Sequence, residues 1–305
     1  MMAAATDETA RRFGFIAVIG APNAGKSTLI NRFVGAKVSI VTPKVQTTRS
    51  LVRGIAIHGH AQLVFVDTPG IFEPKRRLER AMVAAAWSGV QDADAILLIV
   101  DAARGFSGET RQVVEKLRQA NRQVTLVLNK IDRMKREPLL RLSSEMNATG
   151  IFTETFMISA LKGDGAGDLL ENLSKAMPGG PWMYPEDQIS DLPTRLLAAE
   201  ITREKLFLFL SQELPYSLAV MTEDFAERAK GDIRIEQSIF VQRDSQKAIV
   251  LGEGGRRIKE VGMAARKDLE AIFEKRVHLF LRVKVRKDWI DNPEHYRDFG
   301  LDYGA

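Results

Sequence analysis

The stretch FGFIAVIGAPNAGKSTLINRFV, residues 13–34, decides the fold of the first part of this chain. Its apolar residues 15–19 predict a buried strand, and the next residues fill the pattern G-x-x-x-x-G-K-[ST] with Gly20, Gly25, Lys26 and Ser27. Glycines let backbone N–H groups close around phosphate oxygens, and the N-terminus of the following helix adds its dipole. The pattern therefore predicts a phosphate-binding loop, with Lys26 on the β- and γ-phosphates and the Ser27 hydroxyl on Mg²⁺.

Further apolar runs alternate with helix-favouring stretches such as residues 108–120 and 138–148. These runs lie at residues 62–67, 95–101, 124–130 and 154–159. Continuous apolar strands separated by helices predict an α/β domain with a mostly parallel sheet covered on both faces. Prolines and glycines in MPGGPWMYPED, residues 177–187, indicate a linker. We expect an N-terminal tail (1–12), a first domain (13–178), a linker (179–194), a second domain (195–290) and a C-terminal tail (291–305).

The composition excludes several kinds of site. The chain has 305 residues, a formal net charge of +5, four histidines and no cysteine. Disulfides, cysteine-ligated metals and thiol nucleophiles are therefore excluded, and the isolated histidines match no zinc or hydrolase signature. No apolar run approaches the roughly 20 residues that span a bilayer, and the N-terminus does not resemble a secretory signal. We expect a cytoplasmic protein.

Three more motifs follow at strand ends: DTPG (67–70), NKID (129–132) and SAL (159–161). Asp67 is expected to point toward the metal, and the Gly70 N–H toward a γ-phosphate. The Asp132 carboxylate can accept hydrogen bonds from guanine N1–H and the exocyclic amine, a pair of donors that adenine lacks. A backbone N–H of the SAL segment can contact the guanine carbonyl. Four motifs in this order predict a guanine nucleotide site, whereas each short motif alone could be an ordinary turn.

The second part of the chain has a different pattern, a helix over residues 194–210 and later strands with alternating apolar residues, which predicts a smaller α+β domain. Between those strands, Gly252, Gly254 and Gly255 form a G-x-x-G turn that opens a long helix. Such a turn is either a plain helix entry or the loop on which a KH domain clamps about four single-stranded nucleotides. The carboxylate of Glu253 in this turn repels phosphate, so the basic residues after the turn must supply more of the attraction.

Positive charge is concentrated in residues 243–287, which hold 13 basic and 6 acidic side chains. This concentration suits a polyanion, although a solvated helix face produces the same pattern.

At this point the sequence resembles the translation-factor class of GTPases and, more narrowly, the Era family. GAPNAGKS, QTTR (46–49), DTPG, NKID and SAL are similar to that family's nucleotide motifs, and LAAEITREK (197–205) with ELPYS (213–217) to its linker and second domain. The resemblance implies a GTPase domain followed by a type II-like KH domain. It also implies hydrolysis of GTP to GDP and phosphate, binding to the 3′ end of 16S rRNA, and a role in assembly and maturation of the small ribosomal subunit.

The resemblance also implies roles for individual residues. Thr47 and Thr48 occupy the switch I position, and we favour Thr48 as the Mg²⁺ ligand together with Ser27 and Asp67. Asn23 resembles the asparagine that ligates K⁺ in cation-dependent GTPases. The residues expected to act in catalysis are Lys26, Thr48 and Gly70.

The predicted contacts form two sets. The expected GTP-binding residues are Asn23, Ala24, Gly25, Lys26, Ser27, Thr28, Asp67, Gly70, Asn129, Lys130, Asp132, Ser159, Ala160 and Leu161. The expected RNA-binding residues are Gly252, Gly254, Gly255, Arg256, Arg257 and Lys259.

Ile71 follows DTPG, where many GTPases have a glutamine that orients the attacking water. An isoleucine side chain forms no hydrogen bond, so slow intrinsic hydrolysis is expected. We hypothesise that K⁺ bound at Asn23 supplies the missing stabilisation of charge.

Two other function classes stay open at this stage. One is an RNA-binding module with a vestigial nucleotide site, although the intact Lys26, Ser27, Asp67 and Asp132 argue against it. The other is a membrane-associated signalling GTPase whose basic segment 243–287 docks to anionic lipid. The expected partners are GTP and GDP, 16S rRNA, the small ribosomal subunit and, peripherally, the inner membrane, and the expected state is a monomer.

Overall fold

The structure is a computed structural model that describes residues 10–42, 44, 52–72, 74, 76–210, 214–228, 231–287, 289, 296 and 301–304. These residues form two compact units. Unit 1 contains the described residues of Met1–Ser39, Thr48–Asp191 and Gly304–Ala305, and unit 2 those of Ile40–Thr47 and Leu192–Tyr303.

Unit 1 is built on a six-stranded sheet of order β2-β3-β1-β4-β5-β6. Its strands are β1 (Arg12–Ile19), β2 (Val52–His58), β3 (Ala61–Asp67), β4 (Ala95–Asp101), β5 (Val124–Asn129) and β6 (Phe152–Ile158). Every pair is parallel except β2 with β3. The predicted mostly parallel sheet is confirmed, but the antiparallel edge strand β2 was not predicted.

Helices cover both faces of this sheet. They are α1 (Lys26–Val34), α2 (Arg77–Gln91), α3 (Gly108–Gln119), α4 (Arg136–Asn147) and α5 (Ala166–Ala176). Alternate residues of the strands belong to two apolar clusters, one with α1 and α5 and the other with α2, α3 and α4. This arrangement buries both faces of the strands, as their continuous apolar sequences predict.

The parallel strands end at one edge of the sheet and deliver the motif residues there. Gly20 follows β1, Asp67 ends β3, Asp101 ends β4, Asn129 ends β5 and Ser159 follows β6. In open α/β sheets, ligands bind at this carboxyl edge. The edge is therefore the candidate site of unit 1.

The segment predicted as a linker is bonded to unit 1 along residues 179–191. The Gln62 side chain, which is fully buried, accepts hydrogen bonds from the N–H groups of Met183 and Tyr184 at 3.1 and 3.0 Å and donates to the Tyr184 carbonyl at 2.8 Å. Nearby, Arg53 pairs with Asp191 at 2.7 Å. The Pro/Gly-rich segment is thus fixed along the β2–β3 side of the sheet, and residues 179–191 are called the strap below.

Unit 2 is an α+β unit with a three-stranded sheet of order β7-β8-β9. Its elements are α6 (Thr194–Phe209), β7 (Ala219–Glu227), β8 (Ile233–Val241), α7 (Asp244–Leu251), α8 (Arg256–Phe273) and β9 (Val277–Val285). β8 pairs antiparallel with β7 and parallel with β9. Apolar residues of α6, α7 and α8 pack on one sheet face, and among these helices α7 was not predicted.

Polar side chains of α6 are buried within unit 2. Glu204 accepts a hydrogen bond from the Val41 N–H at 2.9 Å, and Lys205 bonds to Glu204 and Asp268. Lys44 donates to the carbonyls of Phe207 and Leu210. Val41 and Lys44 are therefore held by α6 and the residue that follows it.

None of the described helices combines the length and the apolar composition that crossing a membrane requires.

Candidate nucleotide-binding and RNA-binding sites

The predicted phosphate loop requires glycine at two positions. A Cβ at Gly20 would lie 2.2 Å from the Ile99 carbonyl oxygen, and a Cβ at Gly25 would lie 2.2 Å from Asn129 Nδ2. Gly25 also has φ +106°, which L side chains rarely adopt. Any larger residue would push the loop away from the strand ends, so the glycines set the shape of the cradle.

Lys26 is buried at the start of α1, where its ammonium donates to the carbonyls of Gly20 and Ala21, both at 3.2 Å. Burial lowers the pKa of Lys26 to about 8, and the nearby Asp67 carboxylate only partly opposes this shift. A buried cation with few partners attracts an incoming polyphosphate. Thr28 lies in the first turn of the same helix.

Ser27 and Asp67 supply adjacent oxygen atoms at the metal position. Ser27 Oγ donates to Asp67 Oδ2 at 2.8 Å, and Asp67 is fully buried. Hydroxyl and carboxylate oxygens are the ligands that Mg²⁺ prefers, so this pair fits the predicted metal. The other candidates, Thr47 and Thr48, lie outside the described residues.

The DTPG segment approaches the phosphate loop. The Ile71 N–H donates to the Gly20 carbonyl at 3.1 Å, and a Cβ at Gly70 would lie 3.0 Å from Pro22. The Ile71 side chain is buried in the apolar core of unit 1. It therefore takes no part in orienting water.

Asn129 joins the phosphate loop to the SAL segment. Its Nδ2 donates to the Ala24 carbonyl at 2.8 Å, and its Oδ1 accepts from the Ala160 N–H at 2.9 Å. Asn129 is 1% exposed, so both bonds form away from water. Three of the predicted motifs are thus one bonded assembly.

Asp132, the predicted base-recognition residue, is held by Ser159, whose hydroxyl donates to Asp132 Oδ1 at 2.7 Å. This hydrogen bond is the main cause that lowers the pKa of Asp132. Asp132 therefore stays an ionised acceptor. Leu161, the last residue of SAL, has an exposed side chain, so only its backbone belongs to this assembly.

Two residues that the sequence did not reveal complete the assembly. Arg32, in the last turn of α1, donates to the carbonyls of Ala160 and Leu161, both at 2.5 Å. Asp101 bonds to the Lys130 ammonium at 2.6 Å. Nothing in the sequence around Arg32 indicates its role. Asp101 ends an apolar strand, as Asp67 does, and this shared position could have identified Asp101 as a site residue.

The glycine turn of unit 2 lies between α7 and α8. Gly252, Gly254 and Gly255 have φ of +71°, +58° and +76°. A Cβ at Gly252 would lie 2.7 Å from the Arg257 Cβ, whereas Gly254 and Gly255 face open space. The turn can therefore admit another chain's backbone at its last two glycines.

The basic residues after the turn differ in availability. Arg256 and Lys259 are exposed, as is Glu253 within the turn. Arg257 is half-buried and donates to the Ile249 carbonyl at 3.1 Å. Arg257 therefore also supports the turn itself.

The last strand contributes less positive charge than the sequence predicts. Arg282 and Lys284 lie on the sheet face opposite the apolar residues that pack on the helices. Arg282 pairs with Glu236 at 3.4 Å and Lys284 with Glu223 at 2.5 Å. Acidic residues of β7 and β8 therefore offset part of the positive charge that the sequence concentrates in residues 243–287.

Family models match both units: a 50S ribosome-binding GTPase over residues 15–130 and a KH domain over residues 213–290. GTPase Era of Mesorhizobium japonicum is 59% identical over 299 residues, which cover 98% of this chain and 96% of that protein. GTPase Era of Rhizobium meliloti is 59% identical over 292 residues, covering 96% and 93% of the two chains. The chain belongs to the GTPase Era family. It is thus a P-loop GTPase with a C-terminal KH domain, as predicted.

Solved Era structures have the same fold. Era in complex with MgGDPNP and nucleotides 1506–1542 of 16S ribosomal RNA is 40% identical, with a TM-score of 0.90 and coverage of 95% of this chain and 99% of that one. An Aquifex aeolicus Era variant bound to GDP and AlF4⁻ matches with the same identity, TM-score and coverage.

Proposed function

We propose that this Era family member is a GTP-hydrolysing switch that binds the single-stranded 3′ end of 16S rRNA and acts in assembly and maturation of the small ribosomal subunit. The observation that carries the proposal is the presence, in one chain, of a bonded guanine nucleotide site and a KH turn open at two glycines. The similarity to an Era that was crystallised with a 16S rRNA segment supports the choice of RNA.

The phosphate loop binds the nucleotide's phosphates in this proposal. Lys26 pairs with the β- and γ-phosphates, and the Gly70 N–H contacts the γ-phosphate. Mg²⁺, when bound, neutralises charge on the phosphates, and Ser27 and Asp67 would hold it together with Thr48. The 2.8 Å contact between Ser27 and Asp67 supports this ligand pair.

Base selection rests on Asp132. Its ionised carboxylate accepts hydrogen bonds from the two guanine donors. The hydrogen bond between Asn129 and the Ala160 N–H holds the NKID and SAL segments together around the base. A base without those donors leaves the carboxylate unpaired, and an unpaired charge costs binding free energy.

We also propose that K⁺ accelerates hydrolysis. Asn23 lies in the phosphate loop, and the buried Ile71 leaves no side chain at that position to orient water. A monovalent cation at Asn23 would supply positive charge beside the phosphates, as an arginine does in other GTPases.

RNA binding rests on the open half of the glycine turn and on the cations after it. Gly254 and Gly255 leave room for a phosphate backbone, and Arg256 and Lys259 supply the exposed charge. Glu253 opposes this attraction, so we expect strong salt dependence and modest affinity.

The segment before switch I supports coupling of nucleotide state to unit 2. Glu204 of α6 holds Val41, and the carbonyls of Phe207 and Leu210 hold the Lys44 ammonium. Thr47 and Thr48 follow Lys44 by three and four residues, so ordering of switch I around a γ-phosphate would pull on the segment that α6 anchors.

We propose that the protein acts as a monomer in the cytoplasm. Peripheral docking to the inner membrane through residues 243–287 is the alternative. Its support is charge alone, and the pairing of Arg282 and Lys284 with acidic residues weakens that support.

Fluorescence anisotropy with an oligonucleotide matching the 3′ end of 16S rRNA tests the RNA proposal. Gly255→Asp adds a carboxylate at a left-handed position and should weaken binding by about tenfold or more, because left-handed strain and phosphate repulsion act together. Gly231→Asp is the matched control, since Gly231 also has positive φ and open space but lies in the β7–β8 turn.

Three outcomes are informative. Loss of binding in Gly255→Asp but not in Gly231→Asp, with GTP hydrolysis intact in both, supports the proposal. Normal binding by Gly255→Asp would remove the turn from the RNA site. Co-sedimentation with anionic vesicles that RNA does not compete away would favour the membrane alternative.

A further inference from the structure

Asp101 is a partly buried acidic residue that none of the sequence motifs includes. It ends β4, between the phosphate loop and the NKID segment in the order of the sheet, and its side chain is 10% exposed. Its Oδ1 accepts a hydrogen bond from the Ala103 N–H at 3.1 Å, and its Oδ2 accepts one from the Lys130 ammonium at 2.6 Å. Asp101 Oδ2 thus bonds to Lys130, a residue of the NKID motif.

Lys130 uses the same ammonium to reach the phosphate loop. Its Nζ donates to the Asn23 backbone carbonyl at 2.6 Å. Both Lys130 (φ +66°) and Asn23 (φ +63°) adopt the left-handed conformation, which is unfavourable for a lysine and better tolerated by an asparagine. Such conformations persist only where surrounding contacts enforce them. The ammonium is a contact that joins the strained Lys130 to the left-handed Asn23.

We propose that Asp101 is a positioning residue for guanine nucleotide binding. Its carboxylate holds the Lys130 ammonium on the Asn23 carbonyl and thereby fixes the base-recognition segment to the phosphate loop. The inference rests on the nucleotide site proposed above and adds a residue outside its four motifs.

The effect should fall on nucleotide binding. Asn129 and Asp132 flank Lys130 in sequence, so a displaced Lys130 misaligns the groups that hold the base. Asp101 bonds to Lys130 and the Ala103 N–H and pairs more distantly, at 3.9 Å, with the exposed Arg104; none of these is among the residues expected to act on the γ-phosphate. Loss of the Asp101 charge should therefore raise the GDP dissociation rate and the KM for GTP while kcat changes little.

The test measures release of a fluorescent GDP analogue from the full-length protein by stopped flow. Asp101→Asn keeps the shape but removes the charge, and should accelerate release by about tenfold, since charge-assisted hydrogen bonds are roughly twice as strong as neutral ones. Asp101→Glu retains the charge and should recover part of the slow release. Asp94→Asn is the matched control, because Asp94 lies just before the other end of β4 and accepts from the Phe15 N–H at 2.8 Å.

A second measurement separates positioning from general loosening. If Asp101 acts through Lys130, adding Asp101→Asn to a Lys130→Met variant should change GDP release little further, because the two residues act as one unit. Fully multiplicative effects of the two changes would overturn the proposal.

The remaining outcomes also decide the matter. Wild-type release rates in Asp101→Asn, or equal acceleration in Asp94→Asn, would overturn the positioning role while leaving the nucleotide site intact. Failure of the wild-type protein to bind GDP at all would instead remove the proposed nucleotide site and this inference with it.

Discussion

Nucleotide affinity should depend on pH through Lys26. Burial in the protein lowers the pKa of Lys26 to about 8. Bound polyphosphate places negative charge beside the ammonium and raises that pKa again. Binding therefore favours the protonated lysine, so the protein takes up a proton wherever Lys26 is neutral in the free state. Affinity should be constant well below pH 8 and should fall as pH rises through 8.

The magnitude follows from the pKa of about 8. Lys26 in the free protein is about 90% charged at pH 7 and about 25% charged at pH 8.5, so GDP binding should take up about 0.1 and about 0.75 proton at these pH values. The same linkage predicts a Kd for GDP about fourfold weaker at pH 8.5 than at pH 7.

Calorimetry of GDP binding in buffers of different ionisation enthalpy counts these protons. Measurements at pH 7 and 8.5 stay below the main titration of the guanine N1–H. Lys26→Arg is the control, because a guanidinium stays charged over this range and should abolish the extra uptake at pH 8.5. Equal proton counts at the two pH values in the wild-type protein, or the same rise in Lys26→Arg, would refute the reasoning.

Three further predictions concern the same unit. Arg32→Ala removes both hydrogen bonds to the SAL carbonyls and should accelerate GDP release, measured by stopped flow, by about tenfold. The control Arg118→Ala removes a surface hydrogen bond to the Thr149 carbonyl and should leave the release rate unchanged. Asp132→Asn should lower the preference for guanine over xanthine nucleotides by about tenfold or more in competition binding, and an unchanged preference would exclude Asp132 as the selecting residue. Replacing K⁺ with Na⁺ should slow GTP turnover, and equal rates in the two salts would remove K⁺ from the proposal.

Periodicity and motif spacing predicted the elements that carry strong local signals. Helix α3 over Gly108–Gln119 and helix α6 over Thr194–Phe209 lie within one residue of their predicted bounds. The strand before the phosphate loop ends at Ile19 as predicted but begins three residues earlier, at Arg12. These segments carry local signals at their ends: Gly20 follows the strand, the Ser107 side chain caps α3, and Pro193 precedes α6.

The elements that were missed depend on tertiary contacts. β2 contains Gly54, and its apolar and polar residues alternate poorly, so its sequence gives little strand signal. This edge strand is defined instead by its antiparallel pairing with β3. The strap 179–191 has the composition of a free linker, and contacts with residues distant in sequence fix it, among them those of the buried Gln62 and of Arg53. Helix α7 is eight residues long and ends in an apolar run before Gly252, a pattern that fits a strand equally well.

The motif residues of the nucleotide site were predictable, but their supports were not. Asn129, Asp132 and Ser159 belong to recognisable patterns, and the structure brings them together. Arg32 acts by donating to a backbone carbonyl of the SAL segment, and Asp101 acts by accepting from Lys130. Both partners are distant in sequence. Such contacts arise only when strands and helices are placed side by side, so a single sequence carries little signal for them.

GTP turnover in K⁺ buffer, with and without the oligonucleotide matching the 3′ end of 16S rRNA, tests the central claim most directly. Faster turnover with this RNA, absent with a scrambled sequence and lost in Gly255→Asp, is the result that the proposed switch predicts. Turnover that is the same with and without an RNA that the protein binds tightly would contradict it, because the two units would then act independently.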